Sequence, residues 1–496
     1  MQNRKRPATA CAAALVSLLA ACAVGPDFQK PAPPDVASYT ADPVPAATAG
    51  ADTEGGGVQH FRNGGAISAD WWTLFHSKPL NDLVVQALAN NSDLKAAQAA
   101  LSVARENALA QRGAYYPNLS AGFTASRQQQ PGTLAPVPNN NAFQYDLFTP
   151  EVTVSYAPDV FGLNRRTVES LEAQRQAVHF QMIATYTTLT SNVVVTAIQQ
   201  ASVETQIDAT RQIIASDTEA LQILAYQAKK GYANGVDLAA QKTQLAEASA
   251  TLPPLVKQLA QLHDLLAVLA GRFPGQAPPQ TLALADLQLP RDLPLSLPSA
   301  VVEQRPDVLQ AEANLHAASA QIGIAVANRL PNIQLSANAG STALAIGQLF
   351  TPGTGFWTLA ASLTAPIFDG GTLMHQERAT RAAYEEAAQQ YRGTVLGAFQ
   401  NVADTLTALE QDAEALKAAS AAADAAKTTL DIAQRQVRDG YAGYLTLLNA
   451  EQAYQQARIN LVQAEASRYA DTAALFQALG GGWWNRAELV RNDDDK

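Results

Sequence analysis

Two short stretches of the sequence, YYPNLS at residues 115–120 and RLPNIQLS at residues 329–336, repeat nearly the same pattern. In each stretch a proline separates a helix-like spacing of apolar residues from an alternation of apolar and polar residues. The two prolines, Pro117 and Pro331, are 214 positions apart, and the residues before them also match at that shift. The chain is therefore predicted to be an internal duplication.

The segment before each proline carries apolar residues at a spacing of seven. They are Ala87, Leu94, Leu101 and Ala108 in the first half, and Val301, Val308, Leu315 and Ile322 in the second. A spacing of seven is typical of helices that pack against each other along a seam. Two equivalent helices are therefore predicted to begin the two halves, the first over about residues 78–114.

After each proline the spacing of the apolar residues changes to two, which is typical of strands with one apolar face. The apolar positions include Leu119, Ala121, Phe123, Val152 and Val154 in the first half, and Ile333, Leu335, Trp357, Leu359 and Leu363 in the second. Each half is predicted to hold one hairpin of two strands, at about residues 118–160 and 332–368.

Between each hairpin and a later GYA motif, at residues 231–233 and 440–442, lie about 65 residues with helix-forming composition and no proline. Such a helix would be about 100 Å long at 1.5 Å per residue. Long helices with sustained apolar stripes must bury them against other long helices. The sequence therefore predicts a mainly α protein that forms a bundle or a closed helical wall.

The strands require more than one chain. Four strands with one apolar face cannot close a membrane barrel, because open edges are not tolerated in lipid and barrels need about eight or more strands. Three chains would contribute twelve. We therefore predict a homotrimer in which a long α-helical barrel is continuous with a 12-stranded transmembrane β-barrel.

The N-terminus has the layout of a secretory signal peptide, with basic residues at 4–6 followed by an apolar run. The sequence LAAC at residues 19–22 resembles the bacterial lipobox, which would make 1–21 the signal and Cys22 the lipidated residue. The alternative is a short transmembrane anchor, although the apolar run is shorter than the usual span of about 20 residues. After removal of the signal no cysteine remains for a disulfide, a metal or catalysis.

The remaining boundaries follow from composition and from the repeat. They are a lipidated extended tail at 22–67, a first repeat at 68–272, a proline-rich connector at 273–298, a second repeat at 299–480 and a C-terminal tail at 481–496. Pro253 and Pro254 are expected to break a helix, because proline lacks a backbone donor. Trp71, Trp72, Trp483 and Trp484 are expected to pack or to anchor the protein at an interface.

No constellation of catalytic or metal-ligating residues is visible, and the six histidines show no ligand spacing. We therefore expect no enzyme activity, no metal and no cofactor. The net charge of −10 and the lack of basic runs with interleaved aromatics argue against nucleic acid as a partner. A periplasmic adaptor would share long helical hairpins, but the duplicated amphipathic strands argue against one.

A series of motifs in the mature chain resembles the TolC-like outer-membrane factors, and specifically their NodT-type efflux lipoproteins. The motifs are the lipobox at Cys22, WWTLF at 71–75, LPPL at 252–255, RPDVLQAEANL at 305–315, PNIQLS at 331–336, APIFDGG at 365–371, YLTLLNA at 444–450 and ALGGGWW at 478–484. They span nearly the whole mature chain in order, which makes the combination specific.

The resemblance implies the passive exit channel of a tripartite efflux pump for small molecules or drugs. Its partners would be a periplasmic adaptor protein and an inner-membrane transporter, which we expect to be of the resistance-nodulation-division type. It would lie in the bacterial outer membrane, anchored by lipid, with a periplasmic extension. The alternative is the exit channel of a type I protein-secretion system, which uses the same fold.

The resemblance also implies a periplasmic gate where the GYA motifs turn the helix pairs. Leu445 and Asn449 are four positions apart on one helical face, so three copies could form an apolar and a polar ring. Asn449 stands where the family usually has aspartate, and Asp237 in the first-half turn could supply a substitute ring of negative charge. Asp237 could equally be a solvated residue that is stabilised in the first turn of a helix.

Overall fold

The computed structural model describes residues 23–65, 67–129, 144–276 and 282–490, and most of them are helical. The helices are α1 Lys78–Asn90, α2 Ser92–Arg112, α3 Leu163–Lys229, α4 Gly235–Leu269, α5 Pro298–Gln304, α6 Pro306–Ala327, α7 Thr372–Arg438, α8 Tyr444–Ala478 and α9 Ala487–Val490. The strands are β1 His60–Asn63, β2 Asn118–Gln129, β3 Gln144–Tyr156, β4 Asp292–Leu295, β5 Asn332–Ser341 and β6 Gly355–Thr364.

The two halves of the sequence form elements of matching length. α3 and α7 each have 67 residues, and α4 and α8 each have 35. Both long helices of the second half begin and end 209 positions after their counterparts in the first half. This correspondence confirms the internal duplication and the long helices predicted from the sequence.

The predicted seam is buried, but the first helix is interrupted within it. Seven of the eight seam residues are buried, and Leu101 is half-buried. Asn91 separates α1 from α2, because its Oδ1 accepts hydrogen bonds from the backbone N–H groups of Asp93 and Leu94 at 2.9 and 3.0 Å. The prediction of one helix over 78–114 is wrong at this point, since this side chain caps a new helix.

Pro253 and Pro254 do not break a helix, contrary to expectation. Both lie inside α4 and are exposed. The two carbonyl groups that lose their intrahelical donors belong to residues 249 and 250, which are also exposed and can bond water. The helix therefore continues because the cost of the prolines is confined to its solvated face.

A four-stranded antiparallel sheet has the order β2-β3-β5-β6. Its register aligns apolar residues in rows across the strands, because paired residues point to the same face. One row is Leu119, Val154, Ala337 and Leu359, and the next is Ala121, Val152, Ala339 and Trp357. Leu359 and Trp357 are 75% and 77% exposed. Among the described strands, β2 and β6 each pair with a single neighbour of this sheet, so each keeps one open edge.

The chain folds into two compact units that do not coincide with the sequence repeats. One unit lies within residues 1–31, 101–178 and 311–391 and contains the four-stranded sheet. The other lies within the remaining three segments and contains the ends of α3, α4, α7 and α8 where the chain turns. Each repeat therefore contributes residues to both units.

The second unit includes structure in segments that the sequence suggested were a tail and a connector. β1 pairs in parallel with β4, with His60 opposite Asp292 and Asn63 opposite Leu295. Leu293 of β4 is fully buried. Each of these strands has only four residues, which is too few for a periodic spacing of apolar residues to predict it. Their pairing joins segments that are more than 200 positions apart in the sequence.

Aromatic residues from both ends of the chain pack in the core of this unit. Trp71 stacks on Phe476 of α8 with ring centroids 5.2 Å apart, and both side chains are buried. Trp483 is buried as well, and its Nε1 donates to the carbonyl of Gln304 at 2.7 Å. The expectation that these tryptophans pack is confirmed, and residues 481–490 belong to the folded unit.

We expect Phe476→Ala to lower the thermal stability of the protein. Removal of a buried phenylalanine side chain leaves a cavity and costs about 3–5 kcal/mol. Melting curves followed by circular dichroism would measure the effect. The matched control is Phe350→Ala, at a residue that is 77% exposed, and it should melt like the wild type. Equal melting of the two variants would contradict the packing described for Phe476.

Candidate functional site at the helix turns and the N-terminal segment

Two turns join the long helices, at residues 230–234 between α3 and α4 and at 439–443 between α7 and α8. Gly231 and Gly440 have φ angles of 79° and 80°, in the left-handed region. The residue after each glycine donates its backbone N–H to a carbonyl of the preceding helix, at 2.9 Å in the first turn and 2.7 Å in the second. This pattern ends a helix, which explains why GYA occurs twice.

The residues predicted to form the gate lie just after these turns. Leu445 and Asn449 are exposed and lie one helical turn apart on α8. Asp237 is half-buried in the first turn of α4. Its backbone N–H donates to Oδ1 of Asn234, which caps the helix, at 2.8 Å. The side chains of Leu445 and Asn449 are therefore free in one chain to meet other copies.

A network of polar groups joins three helices beside the turns. The hydroxyl of Tyr444 on α8 donates to Oε1 of Gln241 on α4, at 3.1 Å. Nε2 of Gln241 donates to the backbone carbonyl of Asp217 on α3, at 3.0 Å. Gln241 and Asp217 are only 0% and 1% exposed. The network therefore links two helices of the first half to one of the second.

Ionisable groups cluster around this network and shift one another's pKa values. Burial, and then the charge of Asp217, raises the pKa of Glu451 to about 7. Burial also raises the pKa of Asp217, although a hydrogen bond from Gln241 opposes this shift. Burial, followed by the charges of Glu451, Asp217 and Asp237, raises the pKa of Tyr444 to about 12. Asp237 therefore lies close to the start of α8.

No motif or regular spacing in the sequence marks Asp217, Gln241 or Glu451 as site residues. Their counterparts in the other repeat, 209 positions away, are Ala426, Ala450 and Lys242, respectively. The two repeats differ in polarity or charge at these positions, but they also differ at neighbouring ones, such as Asp237 and Thr446, so the repeat alone does not single them out.

A second group of contacts holds residues 23–30, which we call the tail segment. Arg166 in the first turn of α3 is buried and donates to two backbone carbonyls of this segment, at 3.1 and 3.3 Å. Its guanidinium also pairs with Asp27 of the segment and with Glu169, both at 2.8 Å. One buried cation thus fixes the tail segment to α3 by charge-assisted bonds.

Residues of α6 complete the attachment of the tail segment. Phe28 stacks on His316 with ring centroids 4.4 Å apart. Nε2 of His316 lies 3.1 Å from Oε1 of Glu169. Lys30 pairs with Glu312, also at 3.1 Å. The tail segment is therefore held by an aromatic stack and ion pairs along two helices.

Close backbone contacts fix where the tail segment begins. A Cβ at Gly25, which has a φ of 96°, would lie 2.4 Å from the Cα of Gly323, so a side chain is excluded there. A Cβ at Gly162 would lie 2.9 Å from the Cα of Ala23. Ala23 thus lies at the connection between β3 and α3. Cys22, the predicted lipidation residue, precedes Ala23 and lies outside the described residues.

A model of the family described as outer membrane efflux protein matches residues 83–272 and 297–481. The chain belongs to the outer membrane efflux protein family. The protein is 28% identical over 500 residues to outer membrane protein OprJ of Pseudomonas aeruginosa, with 98% of each chain covered. It is 28% identical over 473 residues to the toluene efflux pump outer membrane protein TtgC of Pseudomonas putida, covering 95% of this chain and 94% of the relative.

A solved channel supports the same assignment of this efflux protein. The open-state structure of the MtrE outer membrane channel of Neisseria gonorrhoeae matches with a TM-score of 0.78 and 26% identity, covering 93% of this chain and 98% of that one. The resemblance to the outer-membrane factors is therefore confirmed. The efflux protein is an outer-membrane component of an efflux pump, with a helical part and a β part.

Among the described residues of this efflux protein, no helix is both long and apolar enough to cross a membrane.

We expect Arg166→Ala to release the tail segment of this efflux protein. The substitution leaves Asp27 and Glu169 without their buried partner, and loss of hydrogen bonds to a charged group costs about 1.5–3 kcal/mol. Chymotrypsin should then cut after Phe28 about tenfold faster or more, because cleavage follows the population of the detached form. Arg165→Ala, at the exposed neighbouring position, is the matched control. Unchanged cleavage in Arg166→Ala would contradict the attachment of the tail segment through Arg166.

Proposed function

We propose that the protein is the passive exit duct of a tripartite pump for small molecules. An inner-membrane transporter, which we expect to be of the resistance-nodulation-division type, would supply the energy through a periplasmic adaptor. The protein itself would catalyse no reaction. The observation that carries the proposal is the presence, in one chain, of two 67-residue helices and a sheet with an exposed apolar face.

The long helices suit a duct across the periplasm. A helix of 67 residues is about 100 Å long at 1.5 Å per residue. A wall of such helices would keep a substrate from re-entering the periplasm after it leaves the transporter. The relatives' names support the same role, since TtgC of Pseudomonas putida is described as a toluene efflux pump protein.

The sheet favours a homotrimer as the working unit. The open edges of β2 and β6 leave backbone groups without strand partners among the described residues, and such groups are costly in lipid. Three copies would supply twelve strands and pair every edge into a closed barrel. The apolar rows that include Leu359 and Trp357 would then face lipid.

The attachment of the tail segment to α3 supports a lipid anchor at Cys22. Ala23, the first residue of the tail segment, lies against the connection between β3 and α3. β3 is one of the strands that would cross the membrane. Acyl chains on Cys22 would therefore enter the leaflet beside the barrel. Arg166 would keep the anchor in this position through its bonds to residues 24, 25 and 27.

We place the resting gate at the two helix turns. Around a three-fold axis, copies of Leu445 would form an apolar ring and copies of Asn449 a polar ring one helical turn away. Asp237 is the candidate for a ring of negative charge, since it lies near the start of α8. Its place in the first turn of α4 also stabilises the helix, which is the simpler role for this carboxylate.

We expect the isolated trimer in planar bilayers to conduct poorly, because packed side chains close the turns. Leu445→Ala should raise the single-channel conductance by removing the bulk of the apolar ring. Val236→Ala serves as the comparison variant, because it truncates an exposed apolar side chain in the first turn of α4. A Leu445→Ala channel with unchanged conductance would place the gate elsewhere along the helices.

Reversal potentials in the same bilayers test the charged ring. Asp237→Ala should reduce the preference for cations, and Asn449→Asp should increase it, because rings of carboxylates attract cations. Unchanged selectivity in Asp237→Ala would leave Asp237 with only its role in the helix start.

A further inference from the structure

Two carboxyl groups on different helices lie near each other beside the turns. Asp217 belongs to α3 and Glu451 to α8, and the charge of Asp217 acts on Glu451. Asp217 is 1% exposed, and its Oδ2 has no hydrogen-bond partner among the described residues. Oε2 of Glu451 is buried and has no partner there either. We call these two residues the tip carboxyl pair.

The surroundings of the tip carboxyl pair do not neutralise it. α4 contributes Gln241, which is neutral and donates to the backbone carbonyl of Asp217, and Asp237, whose charge acts on Tyr444. α8 itself adds Tyr444, whose proton is held to a high pH. Within the described parts of the chain, neither carboxyl of the pair forms an ion pair with lysine or arginine. Two negative charges on this pair would repel each other.

We propose that the tip carboxyl pair holds a proton while α8 is packed against α3, and that loss of this proton drives the two helices apart. The device would act on the gate, so it rests on the proposed function of the helix turns. The polar network links this motion to the turns, because Gln241 bonds both Tyr444 of α8 and the backbone of α3, so separation of α8 from α3 breaks at least one of the two bonds.

The direction of the pH dependence follows from the two states of Glu451. In the packed state its pKa is about 7, and on exposure to water it returns towards 4.5. The packed state therefore binds the proton more tightly. Between pH 4.5 and 7 each unit rise favours the separated state by up to tenfold, and above pH 7 the effect levels off. The turns should thus be tightest in acid.

The test uses the full-length protein in planar bilayers. The open probability of the wild type should rise by about tenfold or more between pH 5 and pH 7.5. Glu451→Gln, which carries no ionisable proton, should stay at the low value across this range. Asp217→Asn should retain a smaller response, because burial still raises the pKa of Glu451. Glu219→Gln, at an exposed acid of α3, is the matched control and should respond like the wild type.

Hydrogen exchange separates this inference from the proposed gate. Backbone amides at residues 213–220 and 444–455 should lose protection as the pH rises, after correction for the intrinsic exchange rate, and Glu451→Gln should abolish the change. Exchange that is independent of pH in the wild type, or equally dependent in Glu451→Gln, would overturn the inference. A pH-dependent exchange without any change in conductance would support the proton device and remove the gate from these turns.

Discussion

The open edges of β2 and β6 are the constraint on which the rest of the architecture depends. Each edge carries a row of backbone N–H and C=O groups that have no strand partner among the described residues. One face of the same sheet exposes large apolar side chains, including Trp357. Water would satisfy the edges but not the apolar face, and lipid would satisfy the face but not the edges. In the homotrimer that we propose, pairing with further copies satisfies both.

The two repeats share a set of long helices but differ in the polar residues on those helices. The long helices have identical lengths in both halves, so the arrangement of elements along the chain repeats. The side chains on these helices do not repeat everywhere. Asp217 and Gln241 correspond to alanines in the second half, and Glu451 corresponds to Lys242 in the first. In our account the shared pattern builds the wall, whereas these unmatched polar residues control how firmly the helix ends are held.

Periodicity predicted the long helices and the strands because both depend on the local spacing of apolar residues. It missed the break at Asn91, which depends on one side chain that caps a helix. It also missed contacts between distant segments, such as Arg166 with Asp27 and Arg468 of α8 with the carbonyl of Gly57 at 2.7 Å. No regular spacing of residues in the sequence indicates these contacts, so only the folded structure shows them.

Mass measurement of the detergent-solubilised protein, combined with circular dichroism, tests the central claim most directly. If a single chain cannot pair the edges of its sheet, the folded protein with full β content should occur only as a trimer. Conditions that dissociate the trimer should then also remove the β signal. A stable monomer that retains the same β content would contradict the account.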